Sequence, residues 1–198
     1  MREAKDPTAF KAHTAKAKEL LIDGTEMAVE RPADNDYQKA MYSGKQKTHT
    51  ASAVVISDKK RYIYYVSSLY EGSTVDITVL RSEFSTDMDW FDTKKVVVDL
   101  GYTGILNDYK FGELMIGNKR PRKKKNEPRV ELTNAQKEHN KEVSRQRIYV
   151  EHAIGEMKRY RVLINRSRIK CYKRKDQEIG ICAALANYKN RKKSSSTG

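Results

Sequence analysis

Leu20-Leu21-Ile22-Asp23-Gly24-Thr25-Glu26 decides the fold: three apolar residues run straight into a carboxylate and a glycine. The run reads as a strand, Leu20 to Val29, whose acid lies close to a core where an unpaired charge is expensive. Val96-Val97-Val98-Asp99-Leu100-Gly101-Tyr102 repeats the pattern, and a third acid, Glu151, stands in Arg147-Ile148-Tyr149-Val150-Glu151-His152-Ala153-Ile154-Gly155-Glu156-Met157-Lys158. A divalent cation relieves the cost of such charges. Magnesium prefers oxygen ligands and takes few carboxylates from the protein, so three acids from distant parts of the chain suit it. Paired ions about 4 Å apart activate an attacking oxygen and stabilise the leaving one in phosphodiester chemistry. The pattern therefore points to phosphoryl transfer on nucleic acid, with Mg2+ as the ion and Mn2+ as its substitute.

Composition agrees with that partner. The chain has 198 residues and a formal charge of +14, from 40 Lys and Arg against 26 Asp and Glu. Such an excess favours polyanions through counterion release, although ribosomal, chromatin and membrane-surface proteins share it. The length suits one domain with a real core, and 38% hydrophobic residues argue against a disordered chain. No apolar stretch approaches the roughly 20 residues of a membrane span, and no signal peptide opens the sequence. Cys171 and Cys182 stand alone without metal-ligand spacing. The expected setting is a reducing interior, the cytoplasm, with the protein associated with the nucleoid.

Outward from the first strand, residues 1–18 are rich in Ala and Lys and read as a leader or tether. Residues 19–190 form the main domain and 191–198 a polar tail. Arg31 to Lys47 reads as a polar, basic loop. Ala51 to Ser57 and Arg61 to Ser68, rich in Val, Ile and Tyr, form a hairpin around Asp58, Lys59 and Lys60. Ile77, Leu80 and Phe84 are spaced for a short helix over Asp76 to Phe84. Val96 to Asp99 is a fourth strand and Glu113 to Ile116 a fifth. The loop at 117–130 holds Pro121, Pro128 and a dense run of Lys and Arg between Lys119 and Arg129, so it reads as solvated. Thr133 with Gln136 is a capping box opening a long helix to about Arg161, and a last helix covers Asp176 to Lys189. This order of elements is that of an α/β, RNase H-like fold with a mixed five-stranded sheet flanked by helices; the helix between the third and fourth strands permits parallel pairing.

At 100° per residue, Val143, Val150, Ile154 and Met157 make one apolar stripe of the long helix, with Arg147, Glu151 and Lys158 clustered beside it. Glu151 and Lys158 are nearly eclipsed, about 10 Å apart along the axis. The carboxylate thus sits at the rim of the core, between cations. Gly155 on the same side costs about 1 kcal/mol of helix propensity relative to Ala, which makes sense where something approaches closely. Asp23 and Asp99 also admit a plain reading as turn or strand-end residues, and Glu151 one as a surface residue paired with Arg147. Asp76 competes for the place of second carboxylate, but its position at a helix start suggests an N-cap or a supporting role in the second shell of the site. Trp90 suits core packing better than stacking on a base.

These motifs closely resemble the catalytic domain of DDE transposases of bacterial insertion sequences, in the branch that contains Harbinger-like elements. The likeness runs from about Leu20 to Lys189. It rests on Asp23-Gly24-Thr25-Glu26, the loop Tyr42 to Thr50, Tyr70 to Asp76, Asp99-Leu100-Gly101-Tyr102, and the trio Arg147, Glu151 and Lys158, five motifs in family order. The resemblance implies metal ligation by Asp23, Asp99 and Glu151 as the catalytic acids, with Asp23 shared between two ions. It also implies that Arg147 and Lys158 bind the DNA backbone near the scissile phosphate. Two positions depart from the pattern: Ser144 stands where related signatures often place Tyr, and Val75 where they often place His.

Lys45, Lys47 and His49 are further candidates for DNA contact, His49 and His152 being solvated or DNA-facing rather than catalytic bases. Family members commonly carry a helical DNA-binding domain ahead of the first aspartate. The expectation is therefore a catalytic half, from a split frame or truncated copy, that works with a separately encoded N-terminal helical domain and as a homo-oligomer on DNA. The expected activity is Mg2+-dependent hydrolysis at element ends followed by 3′-OH strand transfer. Its rivals are a stand-alone RNase H-like nuclease and an inactive remnant that regulates by binding DNA.

Overall fold

The computed structural model describes residues 6–121, 130–169 and 171–195. Its elements are α1 (Pro7–His13), β1 (Glu19–Ala28), α2 (Asn35–Met41), β2 (Tyr42–Ser43), β3 (Thr48–Ser57), β4 (Ile63–Val66), β5 (Tyr70–Glu71), α3 (Asp76–Glu83), β6 (Phe91–Val98), β7 (Phe111–Ile116), α4 (Asn134–Lys158), α5 (Arg161–Ile164) and α6 (Tyr172–Ser195). β1 lies at the centre, antiparallel to β3 and parallel to β6, with β7 parallel beyond β6. β4, β5 and β2 all pair with β3 in antiparallel fashion. Five longer strands make the expected mixed sheet, extended by the two-residue β2 and β5. The architecture is RNase H-like.

The alternation of side chains across a strand divides the core in two. Leu20, Ile22, Val96 and Val98 face one layer with α1 and α3, while Leu21 and Val97 face the other with α4, α5 and α6. Both faces of β1 and β6 are covered, which is why these strands read as unbroken apolar runs. The parallel register sets Leu21 beside Val97. Two residues on, the same alternation brings Asp23 and Asp99 to the C-terminal edge of the sheet on the α4 side.

The capping box is formed in both directions: Thr133 Oγ1 accepts from the Gln136 N–H and Gln136 Oε1 from the Thr133 N–H. Val143, Val150, Ala153, Ile154 and Met157 are the buried residues of α4, the stripe expected from its angles. Each of the four larger side chains contributes roughly 1.5–3 kcal/mol when taken out of water. Trp90 is buried, its Nε1–H donating to the Ser85 carbonyl.

Two segments differ from the sequence reading. Residues 31–47 are not a plain loop, since Asp34 caps α2 by accepting from the Tyr37 N–H at 2.8 Å and Met41 is buried. One buried residue in seven is too little periodicity to announce a helix. Residues 7–18 are not a free leader: Phe10 packs edge-on against Phe84, Trp90 and Phe91, with centroids 5.3 to 6.1 Å away. The buried Lys94 Nζ donates to the carbonyls of Thr14 and Ala17 at 2.8 and 2.9 Å, pinning the chain that follows α1. The strands also begin earlier than expected, β3 at Thr48 and β6 at Phe91. α6 runs from Tyr172 to Ser195, into the stretch read as a tail. Most of the basic loop, residues 122–129, lies outside the described residues.

Candidate active site

Asp23 sits inside β1 and is mostly buried; its Oδ1 accepts from the Gly24 N–H at 2.9 Å. Asp99 directly follows β6, at the head of a short 3-10 turn formed by Leu100–Tyr102, and makes no capping bond there. Its carboxylate is free to face the rim. Glu151 enters from α4, half exposed, one turn after Arg147. The Arg147 guanidinium gathers all three: Nη1 lies 3.0 Å from Asp99 Oδ1, and Nη2 lies 3.2 Å from Asp23 Oδ2 and 3.8 Å from Glu151 Oε1.

Arg147 and Asp23 are both largely withdrawn from solvent, whereas Asp99 and Glu151 are about half exposed. The Asp23 carboxyl is nonetheless held above the usual carboxylate range, because burial outweighs the pull of Arg147 and Asp99 adds repulsion. Among the described residues no three His, Cys, Asp or Glu side chains are placed to share one ion. The acids converge on a guanidinium rather than on each other. In kind and charge, however, the donors fit a hard divalent ion: oxygen ligands only, three carboxylates, already assembled around one cation.

A cavity of about 240 Å³ opens beside this cluster, lined by Asp23, Gly24, Thr25, Glu26, Lys45, Gln46, Asp76, Glu151, Ile154 and Lys158. Lys45 comes from the turn between β2 and β3. That turn is fixed by the Gln46 N–H donating to Ser43 Oγ and the Lys47 N–H to the Ser43 carbonyl, with Lys47 in the left-handed region at φ 55°. Burial lowers the Lys158 pKa and Lys45 adds to the shift, while Glu26 and Asp23 oppose it. Glu26 itself accepts from Thr50 Oγ1 at 2.6 Å.

The candidates for DNA contact therefore separate. Lys45 and Lys158 line the cavity, whereas Arg147 is engaged by the acids. Lys47 is exposed outside the lining, and His49 is half-buried with its ring edge-on to Tyr42 at 5.6 Å. His152 is exposed. Gly155 faces open space, with no chain atom within 4 Å of where a Cβ would stand.

Asp76 is placed differently from a helix cap. Val75 holds the N-cap position of α3 without any side-chain bond. The Asp76 carboxyl reaches across to Gly24, where an added Cβ would stand 2.2 to 2.6 Å from its three carboxyl atoms. Sequence reasoning also passed over Glu26 and Tyr102. The acid of Asp23-Gly24-Thr25-Glu26 was a visible signal for Glu26, but nothing local showed that both would face the cavity or lie beneath it.

Residues 22–187 match the family described as DDE superfamily endonuclease. The chain belongs to that family. The match spans both sheet carboxylates, α4 and most of α6, which are the elements that assemble the site. Over 169 residues this DDE endonuclease chain is 30% identical to a probable transposase for insertion sequence element IS702 from Microchaete diplosiphon. The aligned region covers 85% of this chain and 56% of that protein, so the chain spans about half the length of its curated relative. No solved structure matches it significantly. No helix among the described residues is long and apolar enough to cross a membrane.

Proposed function

We propose that this chain is the catalytic domain of a DNA transposase, cutting phosphodiester bonds at the ends of an insertion element and joining the freed 3′-OH to target DNA. One observation carries the reading: three carboxylates from β1, the end of β6 and α4 gather around a single cation at the sheet edge. Asp23, Asp99 and Glu151 would hold the divalent ions, Mg2+ or Mn2+. Two ions, when bound there, supply activation of the attacking oxygen and stabilisation of the leaving one.

The rest is the work of the chain itself. The apolar floor of the two core layers holds β1 and β6 in register, and so holds Asp23 beside Asp99. α4 brings Glu151 to the same edge on a rigid element. Lys45 and Lys158 place positive charge on the cavity wall, where phosphate oxygens of a DNA strand would lie. Arg147, one turn from Glu151, would exchange carboxylates for a backbone phosphate as the acids take up metal.

The test is the joining of a labelled oligonucleotide 3′ end to plasmid DNA in Mg2+, with Asp99→Asn beside the native chain. Joined product from the native chain alone supports the reading. Cleavage without joining would make the chain a nuclease, and neither reaction under any divalent ion would leave a DNA-binding protein without chemistry.

A further inference from the structure

A second cavity, of about 520 Å³, shares no residue with the one beside the acids. It opens where three distant pieces of chain meet: His13 and Lys16 from α1 and the stretch after it, Asp58, Lys60 and Tyr62 from the β3–β4 turn, and Arg191 from α6. Asp58 follows Ser57, which pairs with Leu21, so the turn stands at the end of the sheet where β1 begins, whereas the acids stand where β6 finishes. Each piece is fixed in place. The buried Lys94 Nζ holds the carbonyls of Thr14 and Ala17, which sets Lys16 between two anchored positions. His13 Nε2 lies 3.2 Å from the Tyr64 carbonyl. Asn187 donates to the Ile63 carbonyl and accepts from the Ile63 N–H, both at 2.8 Å, which ties α6 to β4.

The lining suits a negatively charged guest that carries a flat ring. Lys16, Lys60 and Arg191 stand against one acid, Asp58, and that acid is committed within the hairpin: Oδ1 accepts from the Tyr62 N–H at 3.0 Å and Oδ2 from the Tyr64 hydroxyl at 3.2 Å. Lys16 and Lys60 are exposed and make no ion pair among the described residues, unlike Lys59, which binds Glu19 at 2.6 Å. The turn that presents Lys60 is closed by the Arg61 N–H on the Asp58 carbonyl, with Arg61 in the left-handed region at φ 65°, a conformation that a long side chain adopts at a cost. Tyr62 lines the cavity half-buried, its ring braced by Tyr64 with centroids 4.9 Å apart and planes at 64°. Phosphate oxygens pair with lysine charges, and every base has a π face that stacks on an aromatic ring. A nucleotide satisfies both halves of the lining, and the volume lies in the range of small-ligand sites.

We propose that this cavity binds one nucleotide unit, its phosphate held by Lys16 and Lys60 and its base laid against Tyr62. The unit comes from a single strand of DNA or from a free nucleotide, and nothing in the proposal depends on the catalytic acids. The probe is a short labelled oligothymidine, whose binding to the full chain is followed by fluorescence anisotropy in the presence of a chelator. Replacing Lys16 and Lys60 together by Ala should lower the slope of log affinity against log salt by about 1.4, from two contacts on a single strand. Lys39 and Lys110, replaced together by Ala, remove the same charge from outside the cavity and should leave the slope as it was. Tyr62→Leu should weaken binding about fivefold or more, while Tyr62→Phe, which keeps the ring, should bind as the native chain does. Equal losses in the two lysine pairs, or none in either, overturn the proposal. Native affinity in Tyr62→Leu overturns it as well, leaving a phosphate patch without a base site. Displacement of the probe by thymidine monophosphate but not by inorganic phosphate supports the proposal with a free nucleotide as the source. No displacement by either supports it with a strand as the source, and equal displacement by both overturns it. Should Tyr62→Leu fail to fold by circular dichroism, the two lysine pairs decide alone.

Discussion

The two walls of the cavity hold their acids in opposite ways. On the α4 side Asp23, Asp99 and Glu151 share one guanidinium, which offsets part of their charge within the chain. On the α3 side burial and the repulsion of Asp23, Glu26 and Asp99 outweigh the pull of Lys45 on the Asp76 carboxyl. The difference teaches that a site built for a cation need not be left empty of charge. One half can be kept in place by an internal cation while the other is held by burial alone.

The largest effect is expected where a compensated acid is neutralised. Asp99→Asn keeps shape but removes a ligand charge, so metal-dependent cleavage should fall to background while duplex DNA affinity stays level or rises. Cleavage at the native rate would move the essential second carboxylate from the α4 wall to Asp76, and would reverse the contrast between the walls.

Arg147→Ala probes the internal cation directly. Removing it leaves Asp23 buried without its partner, and the free chain should lose about 2 kcal/mol in denaturant unfolding, a buried-pair loss discounted for the exposure of Asp99 and Glu151. Added Mn2+ should then stabilise the variant more than the native chain, because the ion no longer has to displace a guanidinium. Equal stabilisation of both proteins would show that Arg147 and metal do not compete for the acids.

Asp76→Asn sharpens the other wall. The Asp76 carboxyl is pushed above its usual range by burial first and by Asp23 next, so the folded chain holds this proton more tightly than the unfolded chain does. The penalty is present in full above the raised value and is relieved as pH falls through it. In the presence of a chelator, Asp76→Asn should therefore unfold at a higher temperature than the native chain at neutral pH. The gain should fade on acidification and vanish below the ordinary value of 3.8. A constant gain across that range would assign it to something other than the carboxylate charge.

What could be read from the sequence follows the same division. β1, the β3–β4 hairpin, α3, β6 and the capped start of α4 each carry a local signal, a period or a cap, and each stands close to its expected place. Asp23, Asp99 and Glu151 were legible because acids that interrupt or edge apolar patterns are conspicuous. The engagement of Arg147 by all three was not, since it depends on the β1–β6 register and on the seating of α4, which no short stretch encodes. Asp76 opens a helix, so its local signal spoke for a cap. Only the missing side chain of Gly24, across a sheet from it, reveals where it points. Phe10 was hidden likewise, one aromatic among alanines and lysines whose partners lie more than seventy residues away.

The smallest effect belongs to the α4 rim, next to the compensated wall. Gly155 lies inside a 25-residue helix, is exposed, and meets no atom of the chain within 4 Å of a Cβ position. Its cost, about 1 kcal/mol against Ala, is not offset by any contact within the folded chain. Gly155→Ala should therefore raise the stability of the free protein by up to about that amount. Because Glu151 and Lys158 flank it on the same side of the helix, a DNA strand seated on Lys158 would pass over this glycine, and the added methyl should weaken duplex binding. Lys158→Ala is the companion measurement, expected to lower the slope of log affinity against log salt by roughly one unit. A Gly155→Ala protein that is more stable and binds DNA as the native chain does, beside a Lys158→Ala protein with an unchanged slope, would show that DNA does not lie along this rim. The compensated wall would then meet its substrate from the Lys45 side.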